Sequence, residues 1–264
     1  MADVEGVRTF QADAEAYDAF MGRYSRQLAP LFADFCGLKT GQRVLDVGCG
    51  PGAFTSVAVV RLGLEAVSAV DPVPHFVEEN RSRHPGLDVR QAPAEQIPYG
   101  DGEFDIAASQ LVFHFLSDAE QSVREMSRVV RVGGTVAACV WDFAEEMEML
   151  RAFWDAALSL WTDAPDEGHV MRFGHERELA DLMRGGGLAD VVETTLTVTS
   201  LYESFAELWS TFLGGIGPAG AYVLTRSPDD RNALREAFHH RLGSPTGPFI
   251  LGAVARAVRA VTPA

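Results

Sequence analysis

The sequence has a single lysine, Lys39, and its acids outnumber its bases by 37 to 22, leaving a formal net charge of −15. Gripping a nucleic-acid backbone takes clustered lysine and arginine, so their scarcity excludes a nucleic-acid partner and an anionic membrane surface from the expectation. No apolar run approaches the ~20 residues of a membrane span. The opening Met1-Ala2-Asp3-Val4-Glu5 lacks the basic and apolar regions of a secretory signal. Three cysteines, Cys36, Cys49 and Cys139, lie far apart and are odd in number. They fit a reducing cytoplasm, not a disulfide framework. None of the histidines is spaced with cysteines or acids as a metal site requires, so no metal is expected. Repeats and low-complexity tracts are lacking too. What remains is 264 residues, 47% hydrophobic and 22% charged. That is a globular chain with a sizeable core, one large domain or a domain with an added cap.

The most informative stretch is Val44-Leu45-Asp46-Val47-Gly48-Cys49-Gly50-Pro51-Gly52, followed by Ala53-Phe54-Thr55. An apolar run, an acid and alternate glycines read as a buried strand, a tight turn and a helix whose first amides face a ligand. Glycine lets the backbone turn sharply and lets a ligand approach it. The dinucleotide fingerprint cradles a pyrophosphate. Here Asp46 stands two residues before the first glycine, and its carboxylate would repel a pyrophosphate but attract a cation. S-adenosylmethionine, with an ammonium, a sulfonium and no phosphate, fits that acid. An ordinary glycine turn is the alternative.

The spacing predicts a helix through Leu28, Leu31, Phe32 and Phe35 closed by Gly37, a strand at 43–47, and a helix at 53–62 stopped by Gly63. A second strand ends at Asp71, 21 residues beyond Gly50, where a βαβ unit puts a carboxylate beside a cofactor's ribose. Asp71 could instead cap a turn or the following helix. Strands at 87–91 and 104–109 follow. A helix opens with capping-box spacing at Ser117 and ends at Gly133-Gly134, and a fifth strand runs over 135–141. This alternation implies a parallel, doubly wound α/β sheet with ligands at the carboxyl ends of its strands. Asp46, Asp71, Glu95, Ser109 and Asp142 fall at or near those ends. Beyond 142 the pattern predicts helices at 145–161 and 175–184, a polar loop over 165–174, and β structure over 191–202. A helix follows Ser204, a loop covers 214–220, and a helix runs from Ser227 to about 242. The final strand, over 248–261, carries Arg256 and Arg259, which suggest an edge position.

As a set, Val44–Gly52, Ala-Val-Asp-Pro at 69–72, Ala94–Asp105 and Arg128–Gly134 resemble the class I, S-adenosylmethionine-dependent methyltransferases of the small-molecule group. The likeness covers residues from about 40 to 142. It implies a Rossmann-like, mostly parallel seven-stranded sheet with the last strand antiparallel, plus a helical cap. The implied division of a single domain is an N-terminal helical lid at 1–40, a cofactor-binding core at 41–142, a remaining strand and substrate cap at 143–247, and a final strand at 248–264. It further implies that Gly48 and Gly50 contact the amino-acid part of the cofactor and that Asp71 takes the ribose. Pro72, Ala94 and Glu95 would border the adenine, and Ser109 or Gln110 would lie under the methionine portion. Arg23 and Tyr24 would fold over to pair with the cofactor carboxylate, as an arginine fork suits; a solvated charge on an entry helix is the alternative reading of Arg23.

Methyl transfer from a cationic sulfur needs alignment and exclusion of water, and a base only if the acceptor loses a proton. His114, after the fourth strand, is the candidate base. A histidine packed between Phe113 and Phe115, or one merely bordering the cofactor, is the competing reading. Asp142 is a second candidate that a helix cap explains equally. Aromatics of the cap, such as Phe153, Trp154 and Trp209, are core residues by default, and some could line an apolar acceptor pocket. The expected function is methylation of O, N or C on a small, apolar or aromatic metabolite. A quinone-type C-methyltransferase and a non-catalytic cofactor-binding protein are the alternatives.

Overall fold

The computed structural model describes residues 18–263. Residues 1–17 of the expected lid lie outside the described residues. Seven strands form one sheet: β1 (Val44–Val47), β2 (Val67–Asp71), β3 (Asp88–Gln91), β4 (Phe104–Gln110), β5 (Val130–Trp141), β6 (Ala189–Tyr202) and β7 (Phe249–Val261), in the order β3-β2-β1-β4-β5-β7-β6. The pairs β1–β2, β1–β4, β2–β3 and β4–β5 are parallel, and β7 runs antiparallel to both β5 and β6. β1 and β2 are buried along their whole length, the apolar composition of strands covered on both faces. Strand order reverses between β1 and β4, so the crevice for a ligand opens beyond the carboxyl ends of those two strands.

Helices α1 (Arg23–Cys36) and α2 (Ala53–Leu62) cover one face, preceded by a π-helical turn at Asp18–Gly22. Leu28, Phe32 and Cys36 of α1 are buried, and Gly37 ends it in the left-handed conformation. Helices α3 (Pro74–Arg83) and α4 (Ala119–Val129) follow β2 and β4. The remaining helices are α5 (Glu148–Leu160), α6 (Glu167–Val170), α7 (Glu178–Gly185), α8 (Phe205–Phe212), α9 (Gly217–Thr225) and α10 (Pro228–Arg241). Phe153 of α5 stacks on Phe212 of α8 at 4.6 Å and meets Phe238 of α10 edge-on at 5.7 Å. This aromatic knot joins the core of the α1–α2 face, while Val123 and Met126 of α4 and Leu179 and Met183 of α7 belong to the core of the other face.

Several expectations are corrected. Asp118, not Ser117, caps α4, accepting from the Gln121 amide at 2.8 Å. Gly133-Gly134 do not end that helix: the chain is already extended from Val130, and the pair makes a bulge where β5 slips against β4. The expected loop at 214–220 runs into α9, because Ala219, Tyr222 and Val223 bury an apolar face there. α6 lies inside the expected polar loop at 165–174. β7 is interior, and β6 is the edge strand. The β7 arginines are engaged: Arg256 meets Asp142 at 2.8 Å and the Gly174 carbonyl at 2.7 Å, and Arg259 donates to the Phe35 carbonyl at 2.9 Å.

Candidate active site

The turn after β1 is built by glycines that no other residue replaces cheaply. Gly48 has φ +73°, and a Cβ on it would stand 2.4 Å from the Val112 side chain. Its amide and that of Cys49 both donate to the Val70 carbonyl, at 2.8 and 3.0 Å. The Gly50 amide donates to Asp71 Oδ2 at 2.8 Å. Three amides of the turn are thus held by acceptors of the β2 end, and the turn is not a free nest for a pyrophosphate. A Cβ on Gly50 would point into open space.

Three adjoining cavities open around this turn. The first, about 670 Å³ including its mouth, is bordered by Gly48, Gly50, Asp71, Pro72, Ala94, Glu95 and Gln110. The second subsite, about 330 Å³, lies against Asp46, Gly48, Gly50 and Gln110. A third space of about 480 Å³ is walled by apolar residues such as Phe20, Trp141, Leu150 and Ile216. Leu111 borders all three, and Phe115 borders the first and the apolar one.

The carboxylates here are buried. Burial pushes Asp46 up to about 7, opposed by the Thr55 hydroxyl that donates to Oδ2 at 2.5 Å and reinforced by the nearby Asp71. Asp71 is pushed up to about 6 by burial, opposed by the Val73 and Gly50 amides at 2.9 and 2.8 Å. Each oxygen of Asp71 holds one amide and keeps a lone pair for a further donor. Gln110 donates from Nε2 to the Ser25 carbonyl at 3.1 Å, while its Oε1 is buried without a partner. Asp46 and Gln110 Oε1 therefore face one small cavity as acceptors. Those are the acceptors a ligand ammonium requires, so the residues present fit the amino-acid end of S-adenosylmethionine.

Five expected site residues are placed elsewhere. Ser109 is fully buried and donates to the Val47 carbonyl at 2.9 Å, tying β4 to β1; its neighbour Gln110 borders the cavities. Arg23 does not reach them: it pairs with Glu207 at 2.6 Å and lies 4.0 Å from the centre of the Tyr202 ring. Tyr24 is buried with its hydroxyl on Tyr202, at 3.2 Å. His114 borders none of the three spaces. Its Nδ1 faces the Arg172 carbonyl and its Nε2 the Trp141 carbonyl at 3.0 Å, with Phe143 against the ring. Burial pushes it down to about 4, outweighing the two carbonyls, which favour the cation. A ring clamped between two carbonyls has no nitrogen left for an acceptor's proton. This is the packed-histidine alternative. Asp142 is likewise structural, holding the Glu145 amide at 3.0 Å and Arg256.

The sequence pattern missed two residues. Leu111 has φ +66°, a rare conformation for a branched side chain that bends the chain at the end of β4; no sequence signal marks it. Glu167, on the wall of the apolar space, is 2% exposed. Burial pushes it up to about 8, and its Oε2 has no partner. In the sequence it sits in Asp166-Glu167-Gly168, which reads as a solvated acidic turn.

Residues 45–138 match the family model of the methyltransferase domain. Over 195 residues, 70% of this chain, the sequence is 28% identical to the malonyl-[acyl-carrier protein] O-methyltransferase of Halorhodospira halophila. The chain spans 61% of that protein's length, and 64% and 53% of two further curated relatives. The YcgJ protein of Bacillus subtilis shares the fold with a TM-score of 0.58 and 18% identity, over 90% of this chain and 99% of that one. So does phosphoethanolamine N-methyltransferase 2 of Haemonchus contortus, solved with phosphomonomethylethanolamine and S-adenosylhomocysteine: TM-score 0.56, 17% identity, 95% of this chain and 57% of that one. The fold is Rossmann-like, and within it residues 45–138 are similar to the methyltransferase domain. Over those residues the chain is similar to the S-adenosylmethionine-dependent methyltransferases, which makes S-adenosylmethionine the cofactor to test against the site.

Proposed function

We propose that this protein transfers the methyl group of S-adenosylmethionine to an O, N or C atom of a small, largely apolar or aromatic metabolite. The observation that carries this reading is the apolar space next to the cofactor cleft, sharing Leu111 and Phe115 with it. Bound S-adenosylmethionine supplies a methyl on a cationic sulfur. The chain's own residues bind, align and exclude water. Asp71 offers its remaining lone pairs to the ribose hydroxyls, and Pro72, Ala94 and Glu95 border the adenine. Asp46 and Gln110 hold the ammonium, and Gly48 and Gly50 let the amino-acid part lie against the backbone. Leu111 and Phe115 put the acceptor next to the cofactor, and the aromatic walls keep the reacting centre dry, which strengthens every electrostatic contact inside it.

The malonyl-[acyl-carrier protein] O-methyltransferases suggest a second acceptor class, a carboxylate. That reading fits less well, because the described residues lining the apolar space include no lysine or arginine to pair with a carboxylate. The test is incubation of the protein with methyl-labelled S-adenosylmethionine and a metabolite extract, read by mass spectrometry. A labelled low-mass, apolar product is the expected result. Label on no small molecule would leave the cofactor-binding role without transfer chemistry.

A further inference from the structure

Within the apolar space, one polar atom stands out. Glu167 Oε2 is fully enclosed and has no hydrogen-bond partner. An orphaned buried carboxyl oxygen is costly, so its presence in an apolar wall calls for a partner that arrives from outside. Its surroundings hold the carboxyl in place without satisfying that atom. The preceding Asp166 is anchored by Arg151 of α5 at 2.6 Å, by the Gly168 amide at 2.9 Å and by His169 at 3.0 Å. Around the carboxyl itself, the Trp154 indole and the Ala219 amide favour its ionised form, as does Arg151, while Asp166 opposes it. Yet Trp154 Nε1, buried too, reaches no acceptor in hydrogen-bond geometry. α5, α6 and the first turn of α9 thus converge on one carboxyl in the wall of the apolar space.

We infer that Glu167 is the anchor for the acceptor, taking an X–H donor group, an amine or a hydroxyl, carried on an otherwise apolar molecule. This rests on the reading of the apolar space as the acceptor site. The apolar walls take the body of the molecule, and Glu167 Oε2 accepts its one polar hydrogen. A neutral, donor-bearing or cationic head satisfies the orphaned oxygen; a carboxylate head brings it no hydrogen. Burial favours the neutral form of this carboxyl. Seating an ammonium beside it favours the charged form, so amine binding releases a proton to solvent.

The experiment compares three isosteric probes, 2-phenylethylamine, 2-phenylethanol and propylbenzene, by titration calorimetry on the S-adenosylhomocysteine-loaded protein in two buffers of different ionisation enthalpy. The amine and the alcohol are expected to bind at least about tenfold more tightly than propylbenzene, as a hydrogen bond to a charged or buried group implies. The amine is expected to release a proton. In Glu167→Leu the preference disappears. In Glu167→Gln, which keeps the shape, proton release disappears while the alcohol keeps part of its advantage. Equal binding of all three probes, a preference that survives Glu167→Leu, or binding of none overturns the inference. Titration of each variant with S-adenosylmethionine reports separately on the fold and on the cofactor site. A native protein that takes the probes but labels no metabolite would contradict the proposed transferase activity and leave the Glu167 anchor standing.

Discussion

Replacing Gly48 by alanine tests the geometry of the turn from which the site is built. Two costs are separable. The first is conformational: φ at +73° is left-handed, which costs an L-residue roughly 1–2 kcal/mol. The second is steric. The new Cβ would lie 2.4 Å from Val112 Cγ2 and 2.8 Å from Cγ1. Val112 is β-branched and borders the cofactor cleft, so its escape is restricted. Overpacking of this kind costs about 1–3 kcal/mol. Gly48→Ala is therefore expected to lose about 2–5 kcal/mol of stability, read as a lower urea midpoint at unchanged slope. Val112→Ala in the same chain removes both clashing methyls. The double variant should recover the steric part and retain the conformational part, a coupling of about 1–3 kcal/mol between neighbouring sites. Cofactor affinity, measured by calorimetry on the still-folded fraction, should fall in the single variant and partly return in the double. Native stability in Gly48→Ala, or no coupling with Val112→Ala, would refute the reasoning.

Two further outcomes follow from the buried groups. Asp46 and Asp71 stand at about 7 and about 6, above their unperturbed 3.8. The native state therefore holds protons that the unfolded chain releases: the stability from these groups is fully present below about pH 4 and is lost as pH rises through 6 to 7. Ammonium binding acts in the opposite direction, since it favours the carboxylates. Cofactor affinity should rise roughly tenfold from pH 6 to pH 8 for one group at about 7, and Asp46→Asn should flatten that profile; a flat native profile contradicts the assignment. His114→Ala should destabilise the fold by about 1–3 kcal/mol through the lost carbonyl contacts and a packing defect. Any loss of turnover should then track the folded fraction, and a large kcat loss at native stability would return His114 to the chemistry.

The cofactor half of the site was legible in the sequence because it is local. Strand, glycine turn, helix and second strand lie within Val44–Asp71, and the strand period, the glycines and the spacing from Gly50 to Asp71 all point one way. The acceptor half was not. Glu167 resembles a solvated acid until α5 and α9 close over it. The 214–220 stretch looks like a loop because of its glycines, yet Gly220 lets α9 approach the Gly215 backbone, where a Cβ would stand 2.7 Å away. Arg256 reads as an edge arginine because its partner, Asp142, is 114 residues away. Arg23 was placed by resemblance and by the fork it offers a carboxylate, and Glu207 and Tyr202, which hold it, come far later in the chain. His114 carried the right chemistry for a base, but the carbonyls that clamp it come from Trp141 and Arg172.

The most direct measurement is calorimetric titration of the native protein and of Asp71→Ala with S-adenosylmethionine and, separately, with NADH. Binding of S-adenosylmethionine by the native protein, no binding of NADH, and at least about tenfold weaker S-adenosylmethionine binding by Asp71→Ala is the expected result, a loss of two charge-assisted hydrogen bonds. Binding of NADH alone, or an Asp71→Ala dissociation constant equal to the native one, would contradict it.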